Sequence, residues 1–129
     1  MPHFTVQITE DSLDGTVEAP LVRSLADAVG SVYGPDFRRL VGVDLIGVPR
    51  ARRGVGGEPL PTGAHQPLVT LSMREAAYHL PQVPDAPARL VAATTDALAA
   101  VLGEEVRGQT VVTIEGVPDG RTGVAGAVA

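Results

Sequence analysis

The chain has 129 residues, 44% of them apolar, and a formal net charge of −5. That length suits one domain able to bury roughly two-thirds of its unfolded surface, and the negative balance argues against nonspecific binding to nucleic-acid backbones or anionic lipid. Cysteine and lysine are both absent, which excludes disulfides, thiol catalysis, thiolate metal sites and Schiff-base lysine chemistry.

Taken from the start, Met1 to Glu10 alternates Phe4, Val6 and Ile8 with Thr5, Gln7 and Thr9, the period of a half-buried strand. It offers neither a basic segment nor a solid apolar run, so no secretory signal is expected. The longest apolar stretches are interrupted well before membrane-spanning length. A cytoplasmic location with no membrane partner is therefore expected. Leu21, Leu25, Ala28, Val29 and Val32 then recur at helical spacing, with Pro20 placed for a first turn and Gly34 for a terminus. The run Leu40 to Val48, "LVGVDLIGV", supplies a second strand, and "GVPRARRGVGG" (Gly47 to Gly57) follows as a Gly/Pro-rich loop.

After a connector, "EPLPTGAHQ" (58–66), the pattern begins again. "PLVTLSM" (Pro67 to Met73) resembles "PHFTVQI" (Pro2 to Ile8) at an offset of 65 residues, so Pro67 pairs with Pro2. From the helix onward the offset is 69. Leu21, Val22, Asp27, Ala28, Val32 and Gly34 find identical residues at Leu90, Val91, Asp96, Ala97, Val101 and Gly103. The strand "TVVTIEGV" (Thr110 to Val117) then leads into "GVPDGRTGVAG" (Gly116 to Gly126), which shares seven of eleven residues with the first loop. The second copy thus holds four extra residues between its first strand and its helix. A repeat of this extent means a duplicated supersecondary unit, with copies at about 2–57 and 67–126.

Two strand–helix–strand units with right-handed crossovers predict an α/β (α+β) domain, a four-stranded sheet with both helices on one face. The other face would carry His3, Thr5, Gln7, Thr70, Ser72 and Thr113, with Val41 and Ile46 on the same side of the second strand. Such a polar but nearly uncharged surface points to self-association. His3, His65 and His79 lack the paired spacing of a metal site. Asp44 and Glu115 fall in strands, where interface pairing is as reasonable as catalysis.

Met-Pro opening a strand, the duplicated βαβ unit, "GVGGE" (Gly54 to Glu58) and the arginine ending "LVTLSMRE" (Leu68 to Glu75) together resemble the tautomerase superfamily across nearly the whole chain. The length and Arg74 are most similar to the malonate semialdehyde decarboxylase and cis-3-chloroacrylic acid dehalogenase branches. The resemblance implies a homotrimer of fused units, with each glycine-rich loop a hairpin reaching a neighbouring unit. It also implies a cofactor-independent, metal-free keto–enol tautomerase-like enzyme for a small carboxylic acid. Pro2 would be the general base after removal of Met1, and Arg74 the carboxylate anchor. An N-terminal proline carries a secondary amine that can take and return a proton, whereas the internal amide of Pro67 cannot. Arg38, Arg39, Asp36 and Arg121 are weaker substrate-binding candidates.

The chain also departs from that pattern. Ala76 and Ala77 stand where relatives carry a second arginine, Ser12 falls where small tautomerases carry another, and Arg53 and Arg121 replace an aromatic wall near the hairpin. Asp36 is only an offset counterpart of the decarboxylase-type aspartate. These differences weigh against dehalogenation or hydration. They leave three alternatives open: decarboxylation of a 3-oxo acid by a protonated Pro2, a catalytically silent trimeric binding or structural protein, and a ferredoxin-like regulatory module.

Overall fold

Alternating side chains give the first strand its two faces. In β1 (His3–Thr9), Phe4, Val6 and Ile8 are fully buried, while His3, Thr5 and Gln7 point away from the core. A 3-10 turn at Glu10–Ser12 leads to α1 (Glu18–Tyr33), a single helical turn α2 (Pro35–Arg38), β2 (Gly42–Val48) and the two short strands β3 (Gly54–Val55) and β4 (Glu58–Pro59). The second copy repeats this order. It runs through β5 (Leu68–Arg74), a 3-10 turn at Glu75–His79, α3 (Ala86–Leu102), a 3-10 segment at Glu104–Gln109, β6 (Val111–Val117), β7 (Gly123–Val124) and β8 (Ala127–Val128). This computed structural model describes residues 1–128.

The expected four-stranded sheet forms in the order β2-β1-β5-β6, with the β1–β2 and β5–β6 pairs parallel and β1–β5 antiparallel. At its centre Thr5 faces Thr70, flanked by His3 opposite Ser72 and Gln7 opposite Leu68. The 65-residue offset maps each flanking pair onto the other, so a local two-fold relates the two units about Thr5 and Thr70. Both long helices cover one face, where Leu21, Leu25 and Val29 of α1 and Leu90 and Leu98 of α3 are buried against the strands. Neither helix is long and apolar enough to cross a membrane.

Local chemistry explains the boundaries. Pro20 is the third residue of α1 and Pro87 the second of α3, positions whose backbone N–H has no helical partner to lose. Gly34 (φ 93°) and Gly103 (φ 102°) end the helices in a conformation that a Cβ would strain. In each unit the turn after the first strand lies on a glycine of the second strand. A Cβ on Gly47 would stand 3.1 Å from the Glu10 Cα, and one on Gly116 would collide with the Glu75 carboxylate.

The repeated loop phrase is a hairpin in both copies. Gly56 and Gly57 join β3 to β4, Ala125 and Gly126 join β7 to β8, and all four residues have positive φ, the pattern of a type I′ turn. Val55 and Val124 occupy equivalent places on these hairpins and are 55% and 58% exposed.

The open sheet face carries cross-strand rows Gly42–His3–Ser72–Glu115, Asp44–Thr5–Thr70–Thr113 and Ile46–Gln7–Leu68–Val111. Ile46 lies on it as expected. Val41 does not: it precedes β2 by one residue, shares the parity of Val43, and packs with Val43 and Leu45 on the helix side.

Candidate active site

Antiparallel pairing sets the start of β1 beside the end of β5, and there a cavity of about 310 Å³ opens. Pro2 and Arg74 both line it, together with Met1, Phe37, Leu40, Met73 and Ala77. Pro2 is buried, and its carbonyl accepts a 2.9 Å hydrogen bond from the Gly42 N–H, which fixes the residue against β2. Met1 is 67% exposed. While Met1 is attached, the Pro2 nitrogen is an amide; its removal leaves a secondary amine inside the cavity mouth. Arg74 is exposed, and its side chain makes no hydrogen bond or ion pair among the described residues.

The remaining wall is apolar and braced. Phe37, from α2, stacks on Tyr33 at the end of α1, with ring centroids 4.6 Å apart and an interplanar angle of 8°. The Tyr33 hydroxyl donates to the Ala77 carbonyl at 2.8 Å, tying α1 to the turn that follows β5. In that same turn Tyr78 donates to the Glu115 carbonyl at 2.7 Å, and burial pushes its phenol well above the usual range. Tyr78 therefore holds the turn on β6, its hydroxyl protonated and engaged by the Glu115 carbonyl.

Chemically, such a cavity offers one cation, Arg74, opposite an apolar wall, with the chain's second residue at its edge.

No protein-family model and no curated protein sequence matches this chain. Solved structures do match, over almost its full length. A wild-type fused 4-OT solved as an asymmetric trimer is 21% identical with a TM-score of 0.80, the alignment covering 98% of this chain and 94% of that one. The protein Pt0534, solved after inactivation by 2-oxo-3-pentynoate, is 19% identical over the same shares, also with a TM-score of 0.80. A member of the cis-3-chloroacrylic acid dehalogenase family is 19% identical with a TM-score of 0.69, covering 98% of this chain and 82% of that one. All are tautomerase-superfamily proteins. The chain has the tautomerase-superfamily fold.

On this tautomerase fold the other candidate residues lie outside the Pro2 cavity. Arg38 turns to α1 and donates to Asp27 at 2.7 Å, lining a separate concavity with Arg39, Arg23 and Val22. Arg39 pairs with Asp36 at 3.0 Å, both well exposed. Arg121 belongs to the C-terminal hairpin and lines a surface pocket with Gly120 and Thr122. Arg53 is nearly buried and donates to the Gln66 carbonyl at 2.6 Å. His3 and His79 are engaged by Asp44 and Glu75, and His65 by Ser12.

Sequence reasoning did not pick out Phe37, Leu40 and Met73. A signal existed for the first: Phe37 directly follows Asp36, whose alignment was offset by about one position. It is the neighbour, not the carboxylate, that lines the cavity.

Proposed function

We propose that this chain is a cofactor-independent keto–enol tautomerase-like enzyme acting on a small keto or enol carboxylic acid. Pro2 is the general base once Met1 is removed, and Arg74 binds the substrate carboxylate. The observation that carries this reading is the shared lining of one apolar cavity by Pro2 and Arg74, the latter its one charged side chain. A free α-amino group ordinarily titrates at about 7.7–8.0, and the surroundings of Pro2 would lower that value. The neutral amine then takes a proton from the carbon beside the carbonyl, and the C–H electron pair moves into the enolate. Arg74 donates to the carboxylate and steadies the developing charge. The resulting ammonium returns the proton to another atom of the same substrate, so no other reactant is consumed.

The decarboxylase alternative requires an acidic partner that keeps Pro2 protonated. Asp36 is committed to Arg39 outside the cavity, which favours the base reading.

The working unit in this proposal is a homotrimer. Fused 4-OT structures of this fold are trimers, and the chain presents an open sheet face with Ile46, Leu68 and Val111 at one end and two hairpins with exposed valines.

The test is ketonisation of phenylenolpyruvate by the processed parent and by Pro2→Ala. General acid–base groups typically contribute 10²–10⁴-fold, and the alanine variant would still offer a mobile primary amine, so a loss of at least about tenfold is expected. Equal activity of the two proteins would contradict the assignment.

A further inference from the structure

The local two-fold makes the two ends and the two edges of the sheet alike in shape, and the side chains break that likeness. At the end opposite the Pro2 cavity lies a second half-site, closed by hydrogen bonds. The Ser12 hydroxyl there is 2.6 Å from both the Thr9 hydroxyl and the His65 Nδ1, and the Gln109 side-chain oxygen accepts the His65 N–H at 2.8 Å.

The edges differ in charge. β2 and β6 are the outer strands, each with a row of unpaired backbone groups, and each is followed by a hairpin. The hairpin leaving β2 carries Arg50, Arg52 and Arg53 against its own Glu58 and the Asp11 paired with Arg50, a net +1. One terminal nitrogen of Arg53 is buried without a hydrogen-bond partner among the described residues. On the hairpin leaving β6, Asp119 and Arg121 cancel. The strand entries diverge further. At β2, Arg23, Arg38 and Arg39 stand against Asp27 and Asp36, a net +1. At β6, Glu104, Glu105 and Asp96 stand against Arg107 alone, a net −2.

β2 and β6 run antiparallel, being parallel to β1 and β5 respectively. A half-turn about the local two-fold exchanges them and leaves the open face and the helix face where they were. In a ring of three sheets, every junction therefore sets the hairpin of one protomer beside the strand entry of the next. With all protomers in one sense, each junction joins β6 to β2 and brings the +1 hairpin beside the −2 entry. With one protomer turned, two of the three junctions join like edges. One then sets +1 hairpins beside +1 entries, and the other leaves the −2 entries facing neutral hairpins.

Resting on the trimer reading above, we infer that three copies of this chain close head to tail, the β2 edge of one against the β6 edge of the next, and that these charges disfavour a turned protomer. The fold itself admits more than one arrangement, since fused 4-OT has been solved as both asymmetric and symmetric trimers. Head-to-tail closure puts all three Pro2 cavities at one end of the ring, in equivalent surroundings, and all three closed half-sites at the other.

The test is made on the full-length, Met1-processed protein by light scattering and nitrogen-15 amide spectra. A head-to-tail ring gives one amide resonance per residue, whereas a ring with a turned protomer gives three environments; one set is expected. Arg52 and Glu105 are exposed and make no ion pair among the described residues, so reversing them spares the protomer fold. Arg52→Glu and Glu105→Arg should each weaken trimerisation at least about threefold at low ionic strength, the two together should recover most of the loss, and 1 M salt should shrink all three effects. Three resonances per amide in a trimeric parent, single variants that dissociate like the parent, or a combined variant no tighter than the singles would overturn this proposal alone. A monomeric parent would overturn the trimer reading with it.

Discussion

Arg74→Ala is the substitution that isolates the carboxylate anchor. Its side chain is engaged by no other group among the described residues, so removal leaves no orphaned partner and little effect on stability is expected. A hydrogen bond to a charged group contributes about 1.5–3 kcal/mol. Arg74 is exposed at the strand end, where solvent screens it, so the lower end applies and kcat/KM should fall roughly ten- to thirtyfold. Arg74→Lys keeps the charge without the planar fork and should fall between the parent and the alanine variant. Arg39→Ala is the control, because Arg39 is paired with Asp36 and lies outside the cavity. The assay is steady-state ketonisation of phenylenolpyruvate at fixed ionic strength. Parent-like kcat/KM in Arg74→Ala, or an equal loss in Arg39→Ala, would refute the reasoning.

Two further outcomes follow from the ion pairs and the sheet. Hydrogen bonding from Arg50 holds the Asp11 carboxyl below the usual carboxylate range. Its depressed folded-state pKa means a stabilising contribution present above the unfolded value of about 3.9 and lost as pH falls through the folded value. The melting temperature of Asp11→Asn should therefore lie below the parent's near neutrality and converge with it in acid; a gap that does not change with pH would contradict this. Thr70 faces outward at the local two-fold, so Thr70→Arg should leave the protomer folded and convert the proposed trimer to monomer in light scattering. A trimer that persists at micromolar concentration would move the interface elsewhere.

What could be read from the sequence was what local chemistry decides. The alternation in Phe4–Ile8 and Val69–Met73, the helical spacing from Leu21 and Leu90, and the stops at Gly34 and Gly103 each depend on neighbours in the chain. The repeat added the duplicated unit and the four-stranded sheet; that Pro2 and Arg74 belong to one site was implied by the family resemblance, and it is the antiparallel β1–β5 pairing that sets both on one cavity. Errors arose where one residue of register matters. Val41 was assigned to the open face, but β2 begins at Gly42 and the pleat turns Val41 toward the helices. Asp36 was the offset counterpart of the decarboxylase-type aspartate, yet the helical turn set by Gly34 and Pro35 brings its neighbour Phe37 into the cavity lining. The polar closure of the second half-site was not legible at all. Thr9, Ser12, His65 and Gln109 come together only after the strands pair, and no spacing in the sequence announces them.

The central claim is a free, neutral amine at Pro2, and a nitrogen-15 NMR titration of Pro2 in natively expressed protein tests it most directly. A titrating amine shows that Met1 has been removed, and its midpoint reports the surroundings. Apolar walls and Arg74 predict a midpoint below the ordinary range of about 7.7–8.0. A resonance that remains an amide at every pH, or an amine titrating above that range, would contradict Pro2 as the base.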